Sequence, residues 1–252
     1  MTYINKMGIG SATQLAKIEE QISKIKAIQI FDKKLLDGCQ PGSLAALLFI
    51  HGYLFNDIYL FAGRIREVNI FRGGFRFVPA VYLQVALQNI SNMPQDDFEE
   101  IVDKFVEMNI AHPFRDGNGR STRIWLDDML KKELNMVIDW SKISKKDYLT
   151  AMEHSSVKDT DIKLLLREAL TDKVDDRELY LRCIDYSFMY EDFECFRAAD
   201  LDKQQGALRI HSFLNKTKNV TVGWLCEYDA CSTVIKYAYF KYRFNNFYFV
   251  GY

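Results

Sequence analysis

The stretch His112-Pro113-Phe114-Arg115-Asp116-Gly117-Asn118-Gly119-Arg120-Ser121-Thr122-Arg123 lies between two segments of helical periodicity, and its reading decides the fold. Upstream, Phe98, Ile101, Phe105 and Ile110 form the inner face of a helix expected from about Gln95 to Ile110. Downstream, a helix starting at Asn118 or Gly119 continues through Ile124, Trp125, Leu126, Met129 and Leu130. Pro113 drives His112 out of helical dihedrals, so the imidazole is expected to project into the cleft at the mouth of the second helix.

The chemistry of that mouth suits a polyphosphate. Glycine tolerates the dihedrals of an anion nest, so the amides of Gly117, Asn118 and Gly119 can point at one place, where the helix N-terminus adds positive potential. Arg120 and Arg123 are three apart and share a helix face, which aims two planar donors at further oxygens. Asp116, just before the nest, is placed to hold a hard cation such as Mg²⁺ that bridges phosphate oxygens. An imidazole titrating near neutrality, as His112 would, can take the proton of an attacking hydroxyl.

Working outward, Leu15, Ile18, Ile22, Ile25 and Ile28 recur between charges and predict an amphipathic helix over Ala12 to Ile30. Dense apolar residues from Ser43 to Phe61 predict a helix buried on most sides. Alternation over Arg64 to Phe71, turn chemistry at Arg72-Gly73-Gly74 and renewed alternation over Phe75 to Val78 predict a hairpin, which Pro79 stops. Further helices are expected over Val81 to Ser91, Ser141 to His154, Ile162 to Leu170 and Asp175 to Phe196. After Ala199 the helical period fades and aromatics crowd Lys236 to Tyr252, a strand-like composition with Asn245-Asn246 as a candidate turn. The expected fold is therefore mainly α with one small hairpin, over residues 1–198, followed by an aromatic-rich tail over 199–252 with no assigned role.

Composition narrows the function. Of 252 residues, 48% are hydrophobic and 27% charged, enough to bury a sizeable core, and length alone admits one domain or one domain plus an appendage. A net charge of -1 supplies no basic field for non-specific nucleic-acid binding, so no nucleic-acid partner is expected. Cys39, Cys183, Cys195, Cys226 and Cys231 form an odd set without a CxxC pair, which points to reduced thiols in a cytosol. No apolar run reaches bilayer length, and a cytoplasmic protein without a membrane partner is expected. His51 lies in an apolar helix and reads as a packed core residue, and no zinc site is indicated.

The motif HPFRDGNGRSTR resembles the Fic family signature HxFx(D/E)GNGRxxR, with the similarity extending from about Leu15 to Phe193. HGYLFNDIYLFAGRIR (51–66) looks like the helix leading into that family's flap, and VNIFRGGFRFVPAVYL (68–83) like the flap itself. The resemblance implies a Fic-type helical bundle and transfer of AMP from ATP to a Ser, Thr or Tyr hydroxyl of a target protein, and also of the enzyme itself. It makes His112 the general base and Asp116 the Mg²⁺ ligand. Gly117, Asn118 and Gly119 would hold the α- and β-phosphates, Arg120 the β- and γ-phosphates, and Arg123 the γ-phosphate. The flap residues Asn69, Ile70, Phe71, Arg72, Gly73, Gly74, Phe75, Arg76 and Phe77 would dock the target as an added strand.

Downstream, Ser187-Phe188-Met189-Tyr190-Glu191 resembles the (S/T)xxxE motif that class III members carry on a C-terminal inhibitory helix, here expected over about 175–196. In that arrangement Glu191 pairs with Arg123 and occupies the γ-phosphate's place. The family usually follows the glutamate with Gly or Asn, whereas this chain has Asp192, a second charge able to weaken or alter the lock. Alternatives stay open: Glu191 orienting a water for AMP removal, or a non-catalytic nucleotide-binding or interaction module. The resemblance also brings a type II topoisomerase subunit into view as target, and a homo-oligomer as assembly.

Overall fold

A computed structural model describes residues 4–72, 75–204, 241–244 and 247–250. The described chain falls into two compact units, divided between Gln204 and Gln205. In the first, α1 (Ala12–Asp32) and α2 (Leu44–Phe55) precede a short pair of strands, β1 (Phe71–Arg72) and β2 (Phe75–Arg76). Then come α3 (Ala80–Ser91), α4 (Phe98–Ala111) and α5 (Asn118–Leu134). The strand β3 (Val137–Ile138) pairs antiparallel with β4 (Leu170–Thr171) across α6 (Lys145–His154) and α7 (Thr160–Glu168). Finally α8 (Arg177–Met189) and α9 (Ala198–Gln204) pack on α1. The second unit contributes β5 (Lys241–Phe244) and β6 (Phe247–Val250), an antiparallel pair in the aromatic tail. Asn245 and Asn246 between them lie outside the described residues, as do Cys226 and Cys231.

The mainly helical bundle expected from periodicity is what the structure has, and α5 is its axis, packed on α4, α2 and α8. Trp125, Leu126, Met129 and Leu130 of α5 are buried against Leu47, Ile50 and Leu54 of α2 and Ile101, Phe105 and Met108 of α4. Burying such side chains contributes about 1.5–3 kcal/mol each, so this contact fixes where the N-terminus of α5 opens.

Several boundaries differ from expectation, each for a local reason. α2 ends at Phe55, not Phe61, because the amides of Ile58 and Tyr59 both turn back to the Phe55 carbonyl; their side chains stay buried and so mimic a continuing helix in sequence. The expected hairpin over Arg64 to Val78 is reduced to Phe71↔Arg76 and Arg72↔Phe75. Below those pairs the buried Arg66 guanidinium joins the two sides instead of a ladder, donating to the carbonyls of Val68 (2.7 Å) and Val78 (2.5 Å). Ser144 caps α6, so the segment from Ser141 begins as a 3-10 turn over Trp140–Lys142 and not as part of that helix.

The expected inhibitory helix over 175–196 is α8, and it stops at Met189. Asp192 takes a left-handed φ of 66° while the amide of Phe193 returns to the Phe188 carbonyl at 3.2 Å, a helix-terminating turn. Glu191 therefore sits in the turn after the helix. α9, anchored by the buried Ala198 and Leu201, carries the first unit to Gln204, past the boundary at 198 expected from composition. Among the described residues no helix is long and apolar enough to cross a membrane.

The largest departure is the orientation of α1. Of its expected apolar face, Leu15 and Ile28 are buried, but Ile18, Ile22 and Ile25 are only partly so. The helix instead turns Glu19, Glu20, Ser23 and Lys24 inward, each 4% exposed or less. Charges are rarely buried unless paired. Glu20 and Lys24 pair with each other, and Glu19 finds its partner in the site.

Candidate active site

His112 caps the C-terminus of α4. Its φ is 51°, and its amide closes the last turn on the Met108 carbonyl at 3.0 Å. Left-handed backbone is uncommon for a residue with a side chain, and Pro113 excludes a continued right-handed helix here. Arg66 secures the corner by donating to the carbonyls of Ala111 (3.1 Å) and His112 (2.7 Å). The imidazole stacks on Phe77, with ring centroids 3.7 Å apart, so the base of the flap touches this histidine.

The turn from Phe114 to Gly117 is held by its own side chains. Asn118 Oδ1 accepts the Phe114 amide and Asn118 Nδ2 donates to the Phe114 carbonyl, both at 2.8 Å. That side chain serves the loop, so any contact of Asn118 with a phosphate would come from its main-chain amide. Gly117 has φ 72°, and a Cβ there would fall 2.5 Å from the Phe55 ring, so glycine is required twice over. No side chain caps the first turn of α5. The helix mouth thus presents main-chain amides, as an anion site does.

His51 is fully buried, as expected of a core residue, and it also supports the loop. Its Nε2 lies 2.9 Å from the Asp116 carbonyl, its Nδ1 accepts the Gly63 amide at 2.8 Å, and its ring stacks on Phe114. Gly63 offers only an N–H, so Nδ1 is the unprotonated nitrogen and Nε2 the donor. Burial pushes its pKa down to about 3, with Arg120 adding to the fall.

Arg120 and Arg123 share one face of α5, as their spacing predicts, and both are buried. Glu191 bridges them: Oε2 accepts Arg120 Nε and Oε1 accepts an Arg123 terminal nitrogen, each at 2.8 Å. Ser187 completes the hold on Arg123, its hydroxyl accepting Nε at 2.7 Å and its carbonyl accepting at 2.6 Å. Gly119 leaves room for this contact, because a Cβ there would lie 2.3 Å from Glu191 Oε1. The family resemblance implies the pairing of Glu191 with Arg123; the structure adds Arg120.

Arg120 meets two further carboxylates. Glu19 of α1 accepts its Nη1 at 2.8 Å, and Asp116 Oδ1 lies 3.8 Å from its Nη2. Burial alone would lower the pKa of Arg120, but Glu191, Glu19 and Asp116 together hold it above its ordinary value. The flat faces of the guanidinium are covered by Phe55, Phe188 and Phe193 at 4.8, 5.5 and 4.5 Å. Glu19 and Tyr59, which donates its hydroxyl to Glu19, were not singled out in the sequence. A glutamate among charges on an amphipathic helix reads as solvated, and the only hint was its place one turn from the buried Leu15.

Asp116 keeps a partly exposed carboxylate at the mouth, with Oδ1 accepting the Gly117 amide at 2.7 Å. Burial raises its pKa above the usual carboxylate range, and Glu19 and Glu191 add to the rise against Arg120. Among the described residues no group of three metal-ligating side chains forms. One hard carboxylate beside amide donors fits a cation that takes its remaining oxygens from substrate and water.

Asn69 accepts the Ala80 amide at 2.8 Å and so caps the start of α3, Ile70 is half-buried, and Phe71 is exposed. Arg72, Phe75 and Arg76 form the short ladder, and Gly73 and Gly74 lie outside the described residues.

This geometry coincides with what the comparisons return. Residues 41–130 match the Fic/DOC family. The chain is 28% identical over 182 residues to the protein adenylyltransferase VbhT of Bartonella schoenbuchensis, covering 67% of this chain and 37% of that one, so it spans little more than a third of VbhT. It is 26% identical over 180 residues to the probable protein adenylyltransferase Fic of Salmonella typhimurium, covering 67% of this chain and 87% of the relative. Among solved structures, the ADP-bound Fic domain of a putative cell filamentation protein from Bartonella quintana superposes with a TM-score of 0.60 at 20% identity, over 68% of this chain and 91% of that one. BepC from Bartonella tribocorum, solved with AMPPNP, gives 0.57 at 20% identity over 68% and 93%. At these identities the structural likeness establishes the helical Fic fold.

Proposed function

We propose that this chain is a protein adenylyltransferase held in an inhibited state by Glu191. The observation that carries the reading is the Glu191 carboxylate bonded to Arg120 and Arg123 at 2.8 Å each, at the open N-terminus of α5. A carboxylate that engages both guanidinium groups is an anion in an anion site, and it competes with a terminal phosphate for the same donors. The curated relatives named protein adenylyltransferases, and the neighbours solved with ADP and AMPPNP, support a nucleoside triphosphate as the ligand.

With Glu191 displaced, the amides of Gly117, Asn118 and Gly119 receive the α- and β-phosphates, and Arg120 and Arg123 receive the β- and γ-phosphates. Asp116 would hold Mg²⁺, which would supply charge neutralisation on the phosphate oxygens. A strand of the target protein adds to β1–β2, bringing a Ser, Thr or Tyr hydroxyl to His112. The hydroxyl oxygen bonds to the α-phosphorus as the bond to the β-phosphate oxygen breaks. The proton passes to the imidazole, and pyrophosphate leaves. Catalysis here is positioning plus preorganised charge. Type II topoisomerase ATPase subunits, suggested by the family resemblance, are the first targets to assay.

Incubating the chain with ATP labelled at the α-phosphate, Mg²⁺ and a cell lysate tests this. Charge-assisted hydrogen bonds contribute about 1.5–3 kcal/mol each, so Glu191→Gly is expected to raise transfer at least about tenfold over wild type. A folded Glu191→Gly protein that binds ATP and transfers no label overturns the enzyme reading and leaves a nucleotide-binding module. Wild type that strips AMP from a target labelled by the variant places Glu191 in AMP removal instead.

A further inference from the structure

Arg120 is held from two directions, and only one of them belongs to the inhibitory segment. Glu191, Phe188 and Phe193, all from α8 and the turn after it, meet the guanidinium at Nε and across its faces. On the opposite side stand Glu19 of α1, bonded to Nη1 at 2.8 Å, and Phe55 of α2. Displacing Glu191 for a nucleotide removes a major part of what fixes Arg120. A long side chain released in this way recovers rotamer freedom and loses the orientation a phosphate clamp needs.

We propose that Glu19 is a positioning residue: it holds Arg120 in its phosphate-facing rotamer when Glu191 is absent. This rests on the adenylyltransferase reading above. The contact is built for rigidity. Glu19 is 4% exposed and Arg120 1%. One Glu19 oxygen takes Arg120 Nη1, and the other accepts the hydroxyl of Tyr59, itself 2% exposed. Because Glu19 occupies Nη1, the Nε and Nη2 edge that Glu191 and Asp116 face is the edge left for a triphosphate. The Glu19 carboxylate is bonded to Arg120 and Tyr59, and it acts through Arg120. Its charge also offsets one of the two arginine charges, which moderates ground-state nucleotide affinity while preserving geometry.

The full chain carrying Glu191→Gly is the background for the test. In it, Glu19→Ala is expected to lower the maximal rate of labelled AMP transfer at saturating Mg²⁺-ATP by about tenfold or more, with the Kd for ATP unchanged or tighter. Glu19→Gln keeps an acceptor for Nη1 and is expected to restore most of that rate. The Arg120 Nε–H resonance in nitrogen-15 arginine spectra should be sharp in the background and exchange-broadened with Glu19→Ala; Tyr59→Phe should lie between the two. The spectra report positioning even where no transfer occurs, so failure of the enzyme reading and failure of this inference are separable. An unchanged rate and a sharp Arg120 signal in Glu19→Ala would overturn the proposal. So would equal loss in the Ala and Gln variants that merely follows a lower Tm. If Glu19→Ala does not fold, a Tyr59→Phe variant with the background's rate and spectrum overturns it as well.

Discussion

At the scale of single residues, Asp192 shows how local backbone geometry reshapes a charge argument. Its φ of 66° is the conformation that glycine and asparagine reach most easily, which gives a physical reason for the family's usual preference there. The carboxylate, a second charge able to weaken or alter the lock, is 83% exposed and paired with Lys145. A left-handed aspartate costs about 1 kcal/mol relative to glycine. Asp192→Gly is accordingly expected to raise Tm slightly and to leave basal AMP transfer as low as wild type, read by a thermal melt beside the labelled-ATP assay. Increased transfer would mean that the Asp192–Lys145 pair, and not the turn, holds Glu191 in place.

At the scale of elements, α1 clamps the segment that follows Glu191. Immediately after Glu19 it presents Glu20, whose oxygens accept the amides of Cys195 (3.0 Å) and Phe196 (3.1 Å). Lys24 donates to the Phe196 carbonyl at 2.5 Å, to Asp185 at 2.9 Å and to Glu20 at 3.0 Å. The segment that follows Glu191 is thereby pinned to the helix that also holds Arg120. Removing one member of a buried ionic cluster costs about 3–5 kcal/mol, because the remaining charges lose their compensation. Lys24→Met should lower Tm by a corresponding margin and, with Glu191 intact, raise basal transfer. A lower Tm with transfer still at the wild-type level would show that the turn after α8 holds Glu191 unaided. Periodicity found α1 but misplaced its buried face, because it counts apolar residues and treats Glu19, Glu20 and Lys24 as solvated. The same reasoning found a hairpin and overstated its length, since Arg66, not a strand ladder, ties its base.

At the scale of the whole molecule, pH acts through groups whose charge the fold forbids. The unfolded chain protonates His51 near pH 6.5, whereas the folded chain resists this down to about 3. The contribution of neutral His51 is full above about pH 6.5 and is lost by about 1.4 kcal/mol per pH unit as the solution becomes more acidic. Asp127 works in the opposite sense. Burial pushes its carboxyl up to about 7, against hydrogen bonds from Trp140 and Ile138, so the folded state takes a proton first and gains stability as pH falls toward the ordinary aspartate range. The informative quantity is therefore the difference between wild type and His51→Gln in melts across about pH 4–8. The variant should be less stable at neutral pH, and the gap should close on acidification. A constant gap would mean that His51 carries no linked proton.

The amino-acid sequence by itself determined the helical class and the local make-up of the turn that opens α5. Those features are written within short spans: a proline after His112, glycines at the mouth of α5, arginines one turn apart, and apolar residues at a helical period. Only the tertiary structure decided how the charges of that turn are satisfied. Glu19 and Glu191 reach Arg120 across 101 and 71 positions of chain. Which carboxylates meet a buried guanidinium depends on how whole helices rotate to minimise uncompensated charge in the interior, a condition that no local pattern expresses.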